Sequence, residues 1–206
     1  MPRVKIFPAE GFGAHIRSVD QLSDQVVGFE DSIDNLEDLM RIRAIWNSGG
    51  SPPANQFCVT NNVPQVIELS ENTLVDPRIT VDTIANTFTF NANMLGSFSV
   101  QAHIIREIGG GTAAQWAMGL EVFTGTWNSV ANAGISTTFD KDAVDEVFHV
   151  TFSVLTDFVP AGAMFRFVQV TDDVTKNIGI TSRQPFAAVS EAAGFIVSIQ
   201  GREVIT

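Results

Sequence analysis

Apolar residues near the beginning of the chain recur at alternating spacings of three and four. This spacing keeps one narrow stripe of a helix facing a partner helix, with positions a and d of each heptad apolar. The pattern therefore predicts a short N-terminal coiled-coil helix over about residues 18–47, and its stripe is the predicted oligomer interface. The stripe consists of Val19, Leu22, Val26, Phe29, Ile33, Leu36 and Met40.

The residues at both ends of this segment fit a helix. Ser18 and Gln21 have the form of a capping box, which satisfies two backbone amides at a helix start. The stretch Gly49–Gly50 followed by Pro52–Pro53 is typical of a helix stop, because proline cannot continue the hydrogen-bond ladder. Residues 48–55 are therefore predicted to form a Gly/Pro linker. The same stripe would also suit an amphipathic helix packed on its own domain, but the acidic side chains on the other faces favour the coiled coil.

After residue 55 the apolar period changes from that of a helix to two. Phe88 and Phe90 alternate with threonines, and the residues from Phe98 to Ile104 alternate with polar side chains. This alternation is typical of strands with one buried face. Many short strands separated by turn residues predict a mainly β head, an antiparallel sandwich or barrel over residues 56–206. The other candidate strands are 66–69, 79–83, 115–123, 147–155, 164–170, 177–182 and 194–200.

Two of these candidate strands are apolar on both faces. In residues 164–168 and 195–199, the positions that alternate with the core positions are also largely hydrophobic. An exposed apolar sheet face is typical of a surface that contacts a partner. Together with the predicted coiled coil, these strands indicate a closed homo-oligomer whose heads pack side by side.

Two short motifs resemble the globular heads of complement-type and tumour-necrosis-factor-like proteins. Phe90, followed after five residues by Gly96-Ser97-Phe98-Ser99-Val100, is similar to the pattern in which an aromatic strand end and a glycine precede an aromatic-x-apolar strand. The stretch Gly194-Phe195-Ile196-Val197 is similar to the last core strand of these families. The chain departs from the pattern at Phe98, where tyrosine is usual, and at Ala192, where an aromatic residue is usual. The resemblance covers about residues 56–206 and implies an antiparallel jelly-roll sandwich that forms a homotrimer on a stalk.

The charge balance excludes one class of partner. Twelve basic and 23 acidic side chains give a formal net charge of −11, which repels phosphate backbones. We therefore expect no direct nucleic-acid binding.

No run of about 20 apolar residues is present to span a bilayer, so no membrane insertion is expected. The opening residues lack the apolar run of a secretion signal, which predicts assembly in a cytoplasm.

Candidate catalytic and metal-binding residues are few. Cys58, the single cysteine, is predicted to be a buried structural thiol, and the residues 56–60 around it are predicted to form a strand. His15, His103 and His149 are predicted to be hydrogen-bonded or solvated, with a site at a subunit interface as the alternative. The acidic spacing of residues 140–146 is loosely that of a calcium loop, but the glycine and glutamate that such a loop requires are absent. We therefore expect a solvated loop there, with no metal and no cofactor.

Two regions are candidates for contacts with other molecules. Residues 124–137 are predicted to be a head loop, and Trp127 and Asn128 on it are candidates for surface recognition; packing of Trp127 under the loop is the alternative. The irregular apolar arm of residues 1–17 is predicted to anchor the protein through Phe7, Phe12 and Ile16. For the arm, folding back on its own stalk is the alternative.

The resemblance to jelly-roll trimers, taken with the absence of a secretion signal, implies a non-enzymatic, homotrimeric bacteriophage virion protein. Similar jelly rolls assembled in a host cytoplasm form capsid decorations, head fibres and tail fibres, so the expected partners are a capsid or tail protein and a host-surface glycan or protein. One alternative is a soluble jelly-roll module that binds carbohydrate or protein. A further alternative is a hydrolase of surface polysaccharide, which would need converging carboxylates, for instance from Asp140, Asp142 or Glu146.

Overall fold

The computed structural model describes residues 39–46, 55–74, 76–182 and 193–204. These residues form two antiparallel sheets and one short 3-10 helix at Val174–Lys176, and no α-helix occurs among them. Accordingly, no helix in this part of the chain is long and apolar enough to cross a bilayer. The strands are β1 (Leu39–Trp46), β2 (Asn55–Phe57), β3 (Gln65–Val66), β4 (Glu71–Leu74), β5 (Ile79–Asp82), β6 (Thr87–Phe90), β7 (Met94–Arg106), β8 (Ala114–Phe123), β9 (Trp127–Phe139), β10 (Glu146–Val159), β11 (Met164–Thr171), β12 (Ile178–Thr181) and β13 (Phe195–Glu203).

The first sheet has seven strands and is organised around β7. Its order is β2-β12-β7-β13-β1-β4, and β10 pairs with the other edge of β7. The β7–β10 ladder runs from Arg106 opposite Glu146 to Met94 opposite Val159. On its other edge, β7 pairs with β13 and then with β12. The long strand β7 is therefore held on both sides, which fixes the side chains that it presents.

The second sheet has six strands in the order β5-β6-β11-β8-β9, with β3 also paired to β11. The core between the two sheets is built from the alternating apolar residues that predicted the strands. Phe98 is fully buried and lies 5.5–6.5 Å, centroid to centroid, from four other phenylalanine rings, mostly edge to face. This geometry is the favourable one for aromatic pairs. The four rings belong to Phe88, Phe90, Phe165 and Phe167.

The prediction of a mainly β antiparallel sandwich is confirmed, and each predicted strand overlaps an observed one. The outward faces of two strands are less exposed than predicted. Val168 on β11 is only 8% exposed, and Ile196 on β13 is half-buried. These positions are therefore largely covered within the chain, and they offer less apolar surface to a partner than the sequence indicated.

One correction concerns the predicted end of the helix. Residues 39–46, which the heptad pattern assigned to the helix, form β1 in the first sheet. In this stretch Ile42 and Ala44 are buried and Arg43 between them is exposed, so the burial has the period of a strand. Met40, the last residue of the predicted seam, therefore lies on a strand, and the sheet begins before residue 56. The predicted arm of residues 1–17, the helix up to residue 38 and the linker up to residue 54 lie outside the described residues.

A second correction concerns the predicted head loop of residues 124–137. Only a short turn around Gly125 connects β8 to β9, and Trp127 through Phe139 form the edge strand of the second sheet. The strand was missed because most of its residues are small or polar and half of them are exposed. An edge strand buries little side-chain surface, so its sequence carries a weak period-two signal.

Candidate functional site

The most buried charge among the described residues belongs to Arg106, at the end of β7. Its side chain is fully buried, and all three guanidinium nitrogens donate hydrogen bonds to backbone carbonyls at 2.6–3.4 Å. Three of these carbonyls belong to the loop after β7. The other three belong to the last residue of β9 and to the loop after it. The Arg106 side chain therefore holds the two loops together. The accepting residues are Ile108, Gly110, Thr112, Phe139, Asp140 and Lys141.

The three glycines after Arg106 have a geometric role in this arrangement. Gly110 and Gly111 have φ values of 80° and 79°, which L side chains rarely adopt. A side chain at Gly109 would place its Cβ against a methyl carbon of Val144, closer than two carbon atoms can approach. The glycine run thus lets the first loop turn sharply and pass close to the second.

Two histidines meet on the outward face of the first sheet, next to these loops. His103 on β7 and His149 on β10 are directly opposite each other in the strand register. Their Nε2 atoms are 3.0 Å apart and their ring centroids 4.0 Å apart. The sequence placed both residues on polar strand faces but gave no sign that they meet, because strand register cannot be read from either strand alone.

Backbone contacts on the far side of β7 hold His103 in place. Its backbone N–H donates to the carbonyl of Gly194 at 2.9 Å, away from β10. His103 and His149 are therefore a non-hydrogen-bonded cross-strand pair, the arrangement in which facing side chains are closest. Burial and the charge of His149 lower the pKa of His103, and a hydrogen bond from its ring to the carbonyl of Ala193 opposes this shift. His103 therefore favours its neutral form more than an isolated histidine does.

Trp127, the candidate recognition residue, lies in an aromatic and charged cluster on the second sheet. The guanidinium carbon of Arg166 is 4.1 Å from the ring centroid of Trp127, and the ring of Phe123 is 5.3 Å away. Arg166 also donates to the carboxylate of Glu121 at 2.8 Å. Trp127 is half-buried, whereas Phe123 is 42% exposed. Part of the indole is therefore engaged in a cation–π contact within the chain.

Asn128, the second candidate recognition residue, has a local partner for its amide. The side-chain NH₂ donates to the hydroxyl of Thr124 at 2.8 Å and to the carbonyl of Thr126 at 2.9 Å. These bonds close the turn between β8 and β9. The recognition role of Trp127 and Asn128 stays a prediction.

The prediction of a buried thiol at Cys58 is confirmed. The residue is 3% exposed, and burial raises the pKa of its thiol to about 11. A thiol with such a pKa is protonated at neutral pH and is a poor nucleophile. Cys58 lies directly after β2, and its backbone N–H donates to the carbonyl of Ile178.

The acidic residues after β9 lie on the turn between β9 and β10 and at the first residue of β10. Asp140, Asp142 and Glu146 are all exposed. The backbone carbonyls of Asp140 and Lys141 accept hydrogen bonds from Arg106. Among the described residues, no three side chains of histidine, cysteine, aspartate or glutamate are placed to hold a metal ion together.

The remaining candidates include one surface depression and the N-terminal residues. A shallow pocket of about 100 Å³ lies on the second sheet, beside Gln115, Ser136 and Asp172. The predicted anchoring residues Phe7, Phe12 and Ile16 lie outside the described residues, as do the seam residues from Val19 to Leu36.

The two antiparallel sheets form a sandwich of the jelly-roll type, and a known structure shares this fold. The chain is similar to the structure of Eiger TNF from S. frugiperda, with a TM-score of 0.50 and 10% identity over 82% of this chain and 96% of that one. It also aligns with the globular domain of zebrafish complement 1qA protein, with a TM-score of 0.42 and 8% identity over 80% of this chain and 96% of that one. The predicted resemblance to tumour-necrosis-factor-like heads is thus confirmed at the level of the fold. No protein-family model and no curated protein matches the sequence.

Proposed function

We propose that the chain is a non-enzymatic, homotrimeric structural protein of a bacteriophage virion, a capsid decoration, head fibre or tail fibre that displays a jelly-roll head. The two-sheet fold supports a jelly-roll head, and the heptad spacing of residues 19–36 supports self-association. Because β1 includes Met40, the proposed coiled coil ends before residue 39. In this proposal the N-terminal arm contacts a capsid or tail protein, as the sequence predicts.

The observation that carries the proposal of self-association is an apolar patch at one end of the first sheet. We define this patch as Ile108, Val144 and Val147, which are 44%, 54% and 36% exposed. Val144 lies against the backbone of Gly109, and Val147 is opposite the buried Ile105 in the strand register. Grouped apolar side chains on a rigid surface favour contact with a partner, whereas scattered ones do not.

The chemistry of the described candidates supports a non-enzymatic role. The Cys58 thiol is buried with a raised pKa, and the candidate carboxylates Asp140, Asp142 and Glu146 are all exposed. A glycosidase holds one of its two carboxyl groups in a protonated state by its environment. Asp140, Asp142 and Glu146 are instead open to solvent.

The first experiment is the solution mass of the full chain by light scattering. The proposal predicts three times 22.3 kDa. Replacing Val147→Glu places a charge in the apolar patch and is expected to shift the protein toward monomers. The matched control is Ile84→Glu, because Ile84 is 94% exposed and lies in the turn between β5 and β6. A monomeric wild-type protein, or a trimer that both variants leave intact, would contradict the proposed interface.

The virion role needs a separate experiment. Phage particles from cells that carry the gene are purified on a density gradient and probed with an antibody against this chain. The proposal predicts the chain at a fixed stoichiometry in the particle fraction. If the chain forms trimers but is absent from the particles, the proposed virion role is wrong and the proposed trimer is not affected.

One observation favours a carbohydrate- or protein-binding module as a second candidate. Phe123 and the half-buried Trp127 form an adjacent aromatic pair on the outer surface of the second sheet. Aromatic rings at a surface are typical contact residues for ligands. Reproducible binding of the chain on a glycan array, lost in Trp127→Ala and retained in Ile84→Glu, would support this candidate.

A further inference from the structure

The histidine pair of the first sheet brings two ring nitrogens together at an accessible position. The Nε2 atoms of His103 and His149 are 3.0 Å apart, His149 is exposed and His103 is half-buried. Two imidazole nitrogens that bind one Zn²⁺ at about 2.0–2.1 Å in a tetrahedral site lie roughly 3.3 Å apart. The pair is therefore within a few tenths of an ångström of the spacing that a shared metal ion requires.

The hydrogen bond from the His103 ring to Ala193 also fits a metal ligand. Because Nε2 of His103 faces His149, we infer that Nδ1 is the atom that donates to the carbonyl of Ala193. A proton held on Nδ1 leaves the lone pair of a neutral ring on Nε2. Histidine ligands of metals almost always donate their other ring N–H to such an acceptor, which fixes the tautomer and the ring orientation.

The backbone around the pair is rigid. β7 is paired on both edges, and the β7–β10 register is continuous from residue 94 to residue 106 apart from an irregularity near Thr156. Both histidines lie well inside this ladder. Their rings are thus held together before any ion binds, which lowers the entropic cost of chelation.

We propose that His103 and His149 form a binding site for one divalent transition-metal ion, Cu²⁺ or Zn²⁺, with each ring ligating through Nε2. Imidazole nitrogen is a preferred ligand of both ions. Without the ion, one Nε2–H donates to the other Nε2. On binding, the proton of that ring moves to Nδ1 through solvent exchange, so two neutral rings bind the ion and no net proton is released. Water fills the remaining coordination positions, and the site is exchangeable because only two protein ligands hold the ion.

The test is a titration of the untagged, metal-free full chain with Cu²⁺, followed by calorimetry and electron paramagnetic resonance, with Zn²⁺ as competitor. The proposal predicts one Cu²⁺ per chain, nitrogen couplings from two imidazoles, and displacement by excess Zn²⁺. His103→Gln and His149→Gln are each expected to weaken binding at least tenfold. His15→Gln, the matched control at the remaining histidine, is expected to bind as the wild type does.

The variants keep the proposal falsifiable even if one of them folds poorly. His149 is exposed, so His149→Gln is expected to retain the wild-type melting temperature while it loses the ion. Wild-type affinity in a folded His149→Gln variant would overturn the proposal. So would loss of binding in His15→Gln alone, or weak binding without defined stoichiometry in the wild type. None of these outcomes depends on whether the chain forms trimers or joins a virion.

Discussion

The indole N–H of Trp116 donates to the side-chain carbonyl of Gln169 at 3.1 Å, inside the core of the sandwich. Both residues are at least 98% buried. The NH₂ group of Gln169 donates in turn to the backbone carbonyl of Gln56 at 2.7 Å. Since Trp116 and Gln169 belong to the second sheet and Gln56 to the first, this chain of hydrogen bonds connects the two sheets through a polar path.

Replacing Gln169→Leu is expected to lower the free energy of unfolding by about 2–4 kcal/mol. The variant leaves the buried indole N–H of Trp116 without its acceptor and removes the side-chain donor to the carbonyl of Gln56, and an orphaned buried group costs about 1–3 kcal/mol. Urea denaturation followed by circular dichroism measures the loss. The control is Gln115→Leu on the exposed side of β8, which is expected to change stability by less than about 0.5 kcal/mol. Equal effects of the two variants would contradict a structural role for the hydrogen-bonded chain.

Arg106→Met is expected to be the most destabilising arginine substitution, by more than about 3 kcal/mol. The methionine retains the apolar stem but leaves six carbonyls without their buried donor. Arg202→Met, at an exposed position of β13, is the control and is expected to be nearly neutral. Hydrogen exchange adds a local readout, because in Arg106→Lys the loops of residues 107–113 and 140–145 are expected to exchange faster while the core strands stay protected. Unchanged exchange in both loops would show that Arg106 does not hold them.

Much of the fold could be predicted from the sequence because it depends on burial of alternating residues. Phe88 and Phe90 predicted one strand and Phe98 a second, and the rings of Phe88 and Phe90 both pack on Phe98 in the core. β9 was missed because an edge strand of small polar residues buries little surface. β1 was assigned to the helix because a short apolar segment fits either period, and only its pairing in the sheet decides between them.

The candidate sites were harder to predict, since they depend on pairs of residues far apart in the chain. His103 and His149 are separated by 46 positions, and only the register of β7 against β10 makes them neighbours. Arg106 offered a weak signal, an arginine at the end of an apolar strand followed by three glycines, but the six carbonyls that accept its hydrogen bonds are backbone atoms. Every residue has a backbone carbonyl, so the residue types do not show which carbonyls accept hydrogen bonds from Arg106. The role of Arg106 could therefore be seen only in the structure.

As the pH decreases, the free energy of unfolding is expected to decrease more steeply in the wild type than in His103→Gln. The pKa of His103 is lowered in the folded state from its ordinary 6.5, so the unfolded chain binds this proton first. Unfolding is then favoured as the pH falls from about 6.5 through the lowered pKa, and the loss is complete below it. The difference in free energy of unfolding between wild type and variant, measured by urea titration from pH 8 to pH 5, isolates this group from the carboxylates. A difference that is constant over this range would contradict the expected proton linkage.

The ion pair between Arg166 and Glu121 is expected to contribute a coupling energy of about 1–2 kcal/mol. The Arg166 and Glu121 side chains are 22% and 9% exposed, so solvent screens the pair only in part. A double-mutant cycle with Arg166→Met and Glu121→Gln measures the coupling by chemical denaturation. Arg166→Met also removes the cation from the face of Trp127, so its tryptophan emission is expected to shift. Additive single-mutant effects would indicate that the two side chains do not interact in solution.

Gly119 and Gly134 face each other in the β8–β9 register, but only one of them is expected to resist replacement by alanine. A Cβ on Gly134 would lie 2.7 Å from the carbonyl oxygen of Met118, a backbone atom that cannot move without distorting β8. Gly134→Ala is therefore expected to cost about 1–3 kcal/mol, the usual range for overpacking.

Gly119→Ala is the matched control, because its Cβ would lie 3.6 Å from the carbonyl of Ala133, an ordinary contact. This variant is expected to be neutral or to stabilise the protein by up to about 1 kcal/mol, since alanine restricts the unfolded chain. Thermal unfolding of the two variants measures the asymmetry. Equal melting temperatures would mean that the edge strand β9 shifts to admit the methyl group, and hence that its register against β8 is loosely held.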